Sequence, residues 1–155
     1  MNKKKISIIT PVLNEYENIN NCIKIVRKFF KNSKYSYEHI FVDNASYDKT
    51  RKILINEYKK NKNIKLIFNS KNYEILPSIF NSLKYASGDA ILVCYAADNQ
   101  DPLKYLNHFL YYWENGYDLV SAQRLIRKES FLWFIIKRLY YNVSILLNKY
   151  SKINK

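Results

Sequence analysis

The sequence predicts an α/β fold, a mostly parallel sheet flanked by helices and assembled from βαβ units, on two observations. Short runs rich in Ile, Val and Phe alternate with longer stretches whose apolar residues recur at helical spacing. The strand-like runs also end abruptly in Asp, Asn and Gln, at Asp43 and again at Asp98, Gln100 and Asp101. Open α/β sheets bind ligands at the carboxyl edge of their strands, which is where such side chains belong.

Residues 5–10 read as a buried first strand ended by Pro11. After a loop at 12–15, residues 18–30 place Ile19, Cys22, Ile23, Val26, Phe29 and Phe30 at helical spacing. Glu15 and Glu17 lie in or just before the first turn, where carboxylates suit the helix dipole. Residues 37–42 form the second strand and end in an acceptor-rich loop from Asp43 to Thr50. Ser46 or Asp48 is expected to cap the next helix, over 51–58. Asp43 sits too early for that and is placed to accept hydrogen bonds from a base or ribose.

Residues 64–68 give the third strand, and 75–85 a helix with Pro77 in its first turn. Gly88 is expected near the C′ position that ends this helix. The run from Ala90 through Val93 reads as a buried parallel strand whose carboxyl end delivers Asp98, Gln100 and Asp101 into a crevice. Hard cations such as Mg²⁺ or Mn²⁺ favour these oxygen ligands and share their coordination with substrate phosphates. Asp101 is expected to cap the helix that Pro102 opens over 103–113, leaving Asp98 and Gln100 as the site. Asn115-Gly116 stops that helix, and 119–122 reads as a short fifth strand.

Composition narrows the chemistry. A chain of 155 residues suits one domain with a real core. With 26 Lys and Arg against 13 Asp and Glu, the net charge is +13, which implies an anionic partner: nucleic acid, a phosphorylated substrate or an acidic membrane surface. The only two glycines, Gly88 and Gly116, cannot write a dinucleotide fingerprint, a P-loop or a nucleophile elbow. His39 and His108 are too far apart for an H-E-x-x-H zinc site. Phosphate handling therefore falls to a metal and to basic side chains. Cys22 and Cys94 lie in apolar patterns and read as reduced core thiols of a cytosolic protein. No secretory signal is written, because the apolar run after the lysines at 3–5 is short and reaches Pro11.

Beyond residue 123 the character changes. Residues 123–130 are basic, and 131–147 are strongly apolar and aromatic, interrupted by Lys137 and Arg138. Those charges argue against a membrane span. An amphipathic helix at an anionic membrane surface and a packing helix, on the sheet or at a homo-oligomer contact, fit equally well. The expected organisation is a domain over 1–130, followed by this helix and a basic tail over 131–155.

Ile8-Ile9-Thr10-Pro11-Val12-Leu13-Asn14-Glu15 resembles the opening of glycosyltransferase family 2. The segment from Phe41 to Thr50 is similar to that family's Val-Asp-Asp-Gly-Ser-x-Asp-x-Thr loop. Ala86-Ser87-Gly88-Asp89-Ala90, followed by Ala96-Ala97-Asp98-Asn99-Gln100-Asp101-Pro102, resembles its Gly-Asp strand and Asp-x-Asp segment. The Gln-Asp-Pro continuation and the basic stretch with Arg124 and Arg127 are most like the polyprenyl-phosphate glycosyltransferase branch.

The resemblance implies a GT-A nucleotide-diphospho-sugar fold. It also implies inverting, metal-assisted transfer from a UDP- or GDP-linked sugar to a polyprenyl phosphate. The place would be the cytoplasmic face of the membrane, with the protein peripheral or anchored through further C-terminal segments. Carried over by motif, Pro11, Glu15 and Phe41 would line the nucleotide pocket, Asp43 would read the base, and Asp98 and Gln100 would hold Mg²⁺ or Mn²⁺ on the diphosphate. Asp98, Arg124 and Arg127 are the catalytic candidates, the arginines meeting donor diphosphate or acceptor phosphate. Ala96 replaces the first Asp of Asp-x-Asp, so Asp98 and Gln100 must suffice unless Asp89 or water compensates. Asn44-Ala45 stands where the family has Asp-Gly. The alternatives are a non-catalytic donor-binding homologue or truncated transferase and, least favoured, a basic nucleic-acid-binding domain suggested by the charge and 15 tyrosines.

Overall fold

The computed structural model describes residues 3–122 together with 138 and 139. Its strands are β1 (Lys5–Val12), β2 (Ser36–Asp43), β3 (Ile64–Phe68) and β4 (Ala90–Leu92). They form one parallel sheet in the order β3-β2-β1-β4. Helices α1 (Ile19–Lys31), α2 (Thr50–Lys60) and α3 (Ile75–Leu83) occupy the crossovers. A 3-10 turn at Leu103–Tyr105 runs into α4 (Leu106–Glu114). The expected parallel α/β architecture is present. The chain divides into two compact units, Met1–Tyr111 and Tyr112–Lys155, and the sheet belongs to the first.

The order of strands determines where a ligand can sit. From β1 the chain steps to β2 and β3, then crosses back to lay β4 on the other side of β1. Right-handed crossovers therefore put α1 and α2 on one face and α3 on the other. Ile9, Ile40 and Val42 form a buried cluster against which Ile67, Leu83 and Ala86 pack. The reversal makes the carboxyl ends of β1 and β4 a topological switch point.

Several expectations change at the strand ends. β1 does not stop before Pro11 but runs on to Val12, with Pro11 opposite Val42. Ile9 C=O accepts from Tyr95 N–H on the β4 side, and Val12 C=O accepts from Asn44 N–H on the β2 side. Alternation puts Pro11 on the β4 side, beyond the end of β4, where no ladder bond needs its missing N–H. β4 pairs over three residues only and is the edge strand among the described residues, with Ile91 39% exposed, so it is not the buried strand expected. Residues 119–122, expected as a fifth strand, pair with no strand among the described residues, and Leu119 is exposed.

Gly88 does not close α3. A Cβ there would lie 2.6 Å from Ser7 N and 2.8 Å from Lys5 C=O, so glycine is required by the close approach of this turn to β1. Gly116 is the left-handed glycine that ends α4, with φ +92°.

β1 and β2 carry buried polar side chains. Glu38 accepts from Lys5 Nζ and Lys65 Nζ, each at 2.8 Å, from Ser7 Oγ at 2.6 Å and from Ser87 N–H at 2.7 Å. It ties β1, β2, β3 and the turn into β4 together at the amino edge of the sheet. Burial opposes its ionisation, but the two ammonium groups and the other donors overcome that and hold the carboxyl far below the usual range. His39 Nε2 lies 2.9 Å from Thr10 Oγ1, and its ring lies 4.0 Å from that of Phe41. Burial lowers its pKa from 6.5 to about 3, so it is neutral in the fold.

Both groups carry depressed folded-state pKa values, so both contributions are complete above the unfolded values and are lost on acidification. Stability should begin to fall below pH 6.5 as unfolded His39 protonates, and fall further below about 4.5 as Glu38 does. Between pH 6.5 and 4.5 the His39 contribution amounts to about 2–3 kcal/mol. Urea denaturation at both pH values checks this, and His39→Gln should remove that slope.

Candidate functional site at the carboxyl edge of the sheet

Every strand-end loop on the carboxyl edge holds a non-glycine residue in the positive-φ region. These are Asn14 (φ 57°), Ala45 (φ 66°), Glu74 (φ 66°) and Cys94 (φ 61°). Each costs on the order of 1–2 kcal/mol, so the surrounding contacts must over-determine it. The loops are in fact laced together. Asn14 N–H donates to Ser46 Oγ at 2.9 Å, Tyr47 N–H donates to Asn14 Oδ1 at 3.1 Å, and Glu15 N–H donates to Thr50 Oγ1 at 2.8 Å. Neither Ser46 nor Asp48 is the cap of α2, a position taken by Lys49 without a side-chain cap bond, although Asp48 Oδ1 accepts the Thr50 N–H at 2.8 Å.

Between these loops lies a cavity of about 520 Å³. β1 and its loop contribute Pro11, Val12, Leu13 and Glu15, and the β4 loop contributes Cys94, Ala96, Ala97 and Asp98. Asn44, Asn72, Glu74, Ile75 and Leu76 complete the lining. Three acidic residues, Glu15, Glu74 and Asp98, are among the lining residues, and no lysine, arginine or histidine is.

Of the residues singled out in the sequence, Pro11, Glu15 and Asp98 line the cavity. Gln100 is held to Asp98 by two bonds, from its N–H to Oδ1 (3.1 Å) and from its Nε2 to Oδ2 (2.6 Å). Asp43 is fully buried and outside the lining. Its Oδ1 accepts from Ser46 N–H and its Oδ2 from Arg51 Nε, both at 3.0 Å, which fixes the β2 loop. Phe41 is also fully buried, in the middle of β2, and does not reach the cavity. Arg124, Arg127 and the segment 131–147, apart from residues 138 and 139, lie outside the described residues.

Three further expectations are corrected. Asp89 cannot compensate for Ala96: its Oδ2 accepts from Lys5 N–H at 2.7 Å at the start of β1, roughly 20 Å of strand away from the cavity. Asp101 is not the cap of the 3-10 turn, a position taken by Pro102. Cys94 is exposed on the cavity rather than packed in the core, because β4 ends two residues earlier, and partial burial raises its pKa. Cys22 is the core thiol expected, its pKa pushed up to about 12 by burial.

Asn44, Asn72 and Glu74 were not singled out in the sequence. Asn44 Oδ1 accepts from Asn69 Nδ2 and Tyr73 N–H at 3.0 Å each and lies 3.0 Å from Ser78 Oγ. Its Nδ2 donates to Asn72 Oδ1 at 2.6 Å and to Glu74 C=O at 3.3 Å. The side chain thus pins the loop after β3 to the end of β2. A signal existed: Asn69 and Asn72 form a second acceptor-rich cluster behind a strand, like the one at Asp43.

A divalent metal here would find one carboxylate, Asp98, and the amide oxygen of Gln100 once that side chain turned over. No group of three His, Cys, Asp or Glu suited to a metal exists among the described residues. This donor set fits an ion that takes its remaining ligands from diphosphate and water.

Ala45 offers a direct test of the strained loops. Ala45→Gly relieves the left-handed cost at the expense of unfolded-state entropy, and should raise stability by about 0.5–1 kcal/mol in urea denaturation.

A parallel sheet with a cavity at its switch point, walled by the β1 loop and an Asp-bearing β4 loop, is the GT-A arrangement of nucleotide-diphospho-sugar transferases. The chain belongs to glycosyl transferase family 2, whose model matches residues 7–154. It is 31% identical over 140 residues to an uncharacterised glycosyltransferase, sll0501, of Synechocystis, covering 90% of this chain and 44% of that protein. To a bactoprenol glucosyl transferase of Shigella phage SfV it is 33% identical over 120 residues, covering 77% of this chain and 39% of that one. Among solved structures it is similar to the mannosyltransferase PcManGT from Pyrobaculum calidifontis in complex with GDP-Man and Mn²⁺. That match has a TM-score of 0.54 at 20% identity, over 62% of this chain and 28% of the other. The chain thus spans less than half the length of these relatives.

Proposed function

We propose that this chain is the donor-binding and catalytic part of a glycosyltransferase that moves a sugar from a nucleoside diphosphate to a polyprenyl phosphate. The observation that carries the proposal is the switch-point cavity with Asp98 in its wall, in a family 2 chain related to a bactoprenol glucosyl transferase. Leu13, Ile75 and Leu76 give the cavity apolar surface for a nucleoside, while Pro11 and Glu15 shape its β1 side.

The charge balance of the cavity supports a metal. A diphosphate beside Asp98 enters a cavity whose lining carries Glu15, Glu74 and Asp98 and no basic residue, so it needs counter-charge that the described lining lacks. Mg²⁺ or Mn²⁺ held by Asp98 and Gln100 would supply it, acting as a Lewis acid on the departing diphosphate. Arg124 and Arg127 are assigned the acceptor phosphate and the remaining charge of the leaving group. In the reaction, a phosphate oxygen of the lipid attacks the anomeric carbon, and the bond from that carbon to the diphosphate breaks on the opposite face. Configuration inverts. The lipid phosphate is already an anion, so no strong general base is required.

Among the described residues no helix is long and apolar enough to cross a membrane. The lipid acceptor would bring the reaction to the cytoplasmic membrane face, and the net charge of +13 favours an anionic surface there.

A second reading is a donor-binding homologue without turnover, favoured by Ala96, which lines the cavity at the position where the family carries a carboxylate. One assay separates the two. With Mn²⁺, nucleotide sugars and polyprenyl phosphate, the enzyme reading expects a lipid-linked sugar that Asp98→Ala abolishes. Nucleotide binding without any lipid product would establish the second reading.

A further inference from the structure

Glu74 has no role of its own in the proposed reaction, and its backbone, its carboxylate and its place on the lining single it out. Its backbone lies at φ 66°, ψ 176°, a region populated almost only by glycine, and it immediately precedes α3. That conformation is held from several sides. Glu74 N–H donates to Asn72 Oδ1 at 2.9 Å, and its C=O accepts from Ser78 Oγ at 2.7 Å and from Asn44 Nδ2 at 3.3 Å. A costly backbone pinned in this way, with its residue on the lining of a cavity, is the pattern of a group kept for contact with a ligand.

The other carboxylates of this edge are engaged. Asp98 receives both bonds from Gln100, Glu15 Oε2 accepts from Asn18 Nδ2 at 2.6 Å, and Asp43 is buried with both oxygens occupied. The Glu74 carboxylate has no hydrogen bond or ion pair among the described residues. Its place on the lining is also informative: Glu74, Ile75, Leu76 and Asn72 come from the β3–α3 side of the cavity, whereas Asp98 comes from the β4 side. A nucleotide whose diphosphate meets a metal at Asp98 would extend its nucleoside toward Ile75, Leu76 and Glu74. A carboxylate beside apolar surface suits a neutral group that donates hydrogen bonds and disfavours a phosphate.

We propose that Glu74 is a specificity-determining residue of the donor site, accepting hydrogen bonds from the nucleoside, through either the ribose hydroxyls or the N–H groups of the base. This rests on the donor-site reading above. The two sources share one chemistry and differ in consequence. Guanine offers adjacent N1–H and N2–H donors that a carboxylate can take together, whereas uracil offers a single N–H between two carbonyls. A base contact therefore favours GDP over UDP, and a ribose contact is indifferent to the base.

The test is calorimetric titration of the full chain and of Glu74→Gln and Glu74→Gly, with Mn²⁺ present, using UDP, GDP and their 2′-deoxy and 3′-deoxy forms. Both variants should bind the preferred nucleotide about 10-fold or more weakly, the loss expected for hydrogen bonds to a charged acceptor. Glu74→Gly should also melt higher than wild type, since it relieves the backbone, so weaker binding there cannot be ascribed to a damaged fold. If the contact is to ribose, one deoxy nucleotide should bind wild type weakly and lose nothing more in the variants. If it is to the base, the variants should lose the discrimination between GDP and UDP. Binding that is unchanged or tighter in Glu74→Gln overturns the assignment while leaving the donor site intact. Wild-type protein that binds no nucleotide overturns the donor-site reading and the assignment with it.

Discussion

Asp98→Asn is expected to abolish the metal-dependent part of nucleotide binding and to leave the melting midpoint in place. The side chain is exposed on the cavity, and its described hydrogen bonds are to Gln100, two residues away. Substitution at such a position changes stability by about 0.5 kcal/mol or less. The functional cost is of another order. With Ala96 in place of one acid and Asp89 tied to the far end of β1, Asp98 is the only carboxylate of its segment that lines the cavity. Perturbing even the outer partners of a metal site costs about 10–100-fold, and removing the charged ligand itself should cost at least about 100-fold in Mn²⁺-dependent affinity. Titration of nucleotide into wild type and variant, with and without Mn²⁺, checks both halves. A variant that bound Mn²⁺ and nucleotide as wild type does would refute the metal assignment.

Asn44→Ala should have the largest effect on the fold of the site. One side chain accepts from Asn69 Nδ2 and Tyr73 N–H, lies against Ser78 Oγ, and donates to Asn72 and Glu74 C=O. Asn69 is buried, so truncation strands one hydrogen of its Nδ2 away from water, at about 1–3 kcal/mol, while Ser78 keeps Glu74 C=O as acceptor and Asn69 Nδ2 as donor. Asn72 and Tyr73 are exposed and can turn to solvent, which holds the total near about 2–3 kcal/mol. Asn44→Asp keeps the acceptor but sets it against Asn72 Oδ1 and Glu74 C=O, and should cost about half as much. Urea denaturation measures both. The loop so released carries Asn72 and Glu74 of the cavity lining, so nucleotide binding should fall with stability in Asn44→Ala.

The frame of the molecule was legible because burial writes itself into the strands and helices. Ile6, Ile8 and Ile9, Ile40 and Val42, and the Ile19–Cys22–Ile23–Val26–Phe30 face of α1 all pack as their spacing indicates. Of the site, Asp98 beside Gln100 was legible from the acidic cluster behind β4, whereas Pro11 and Glu15 on the cavity were legible only through the resemblance to family 2, since the residues alone read as a strand end and a helix start. What stayed hidden depended on partners remote in sequence or on backbone conformation. Asp43 is withdrawn from the cavity by Arg51 and Ser46, which a reading of strand ends does not weigh. Asp89 looked like a spare ligand until its bond to Lys5 N–H fixed it at the amino edge. Glu74 occupies a conformation that only a glycine would have advertised, and Cys94 left the core because β4 stops at Leu92. Glu38 and His39 are polar residues inside a strand, satisfied by β1 and β3 groups that register alone brings close.

The account stands on one claim: the cavity at the carboxyl ends of β1 and β4 binds a nucleoside diphosphate through a metal held by Asp98. Calorimetric titration of the full chain with UDP, GDP and their sugars, with and without Mn²⁺ or Mg²⁺, tests it most directly. The account predicts that at least one of these nucleotides binds and that removing the metal weakens it strongly. Absence of binding by every one of them, with either metal present, would contradict it.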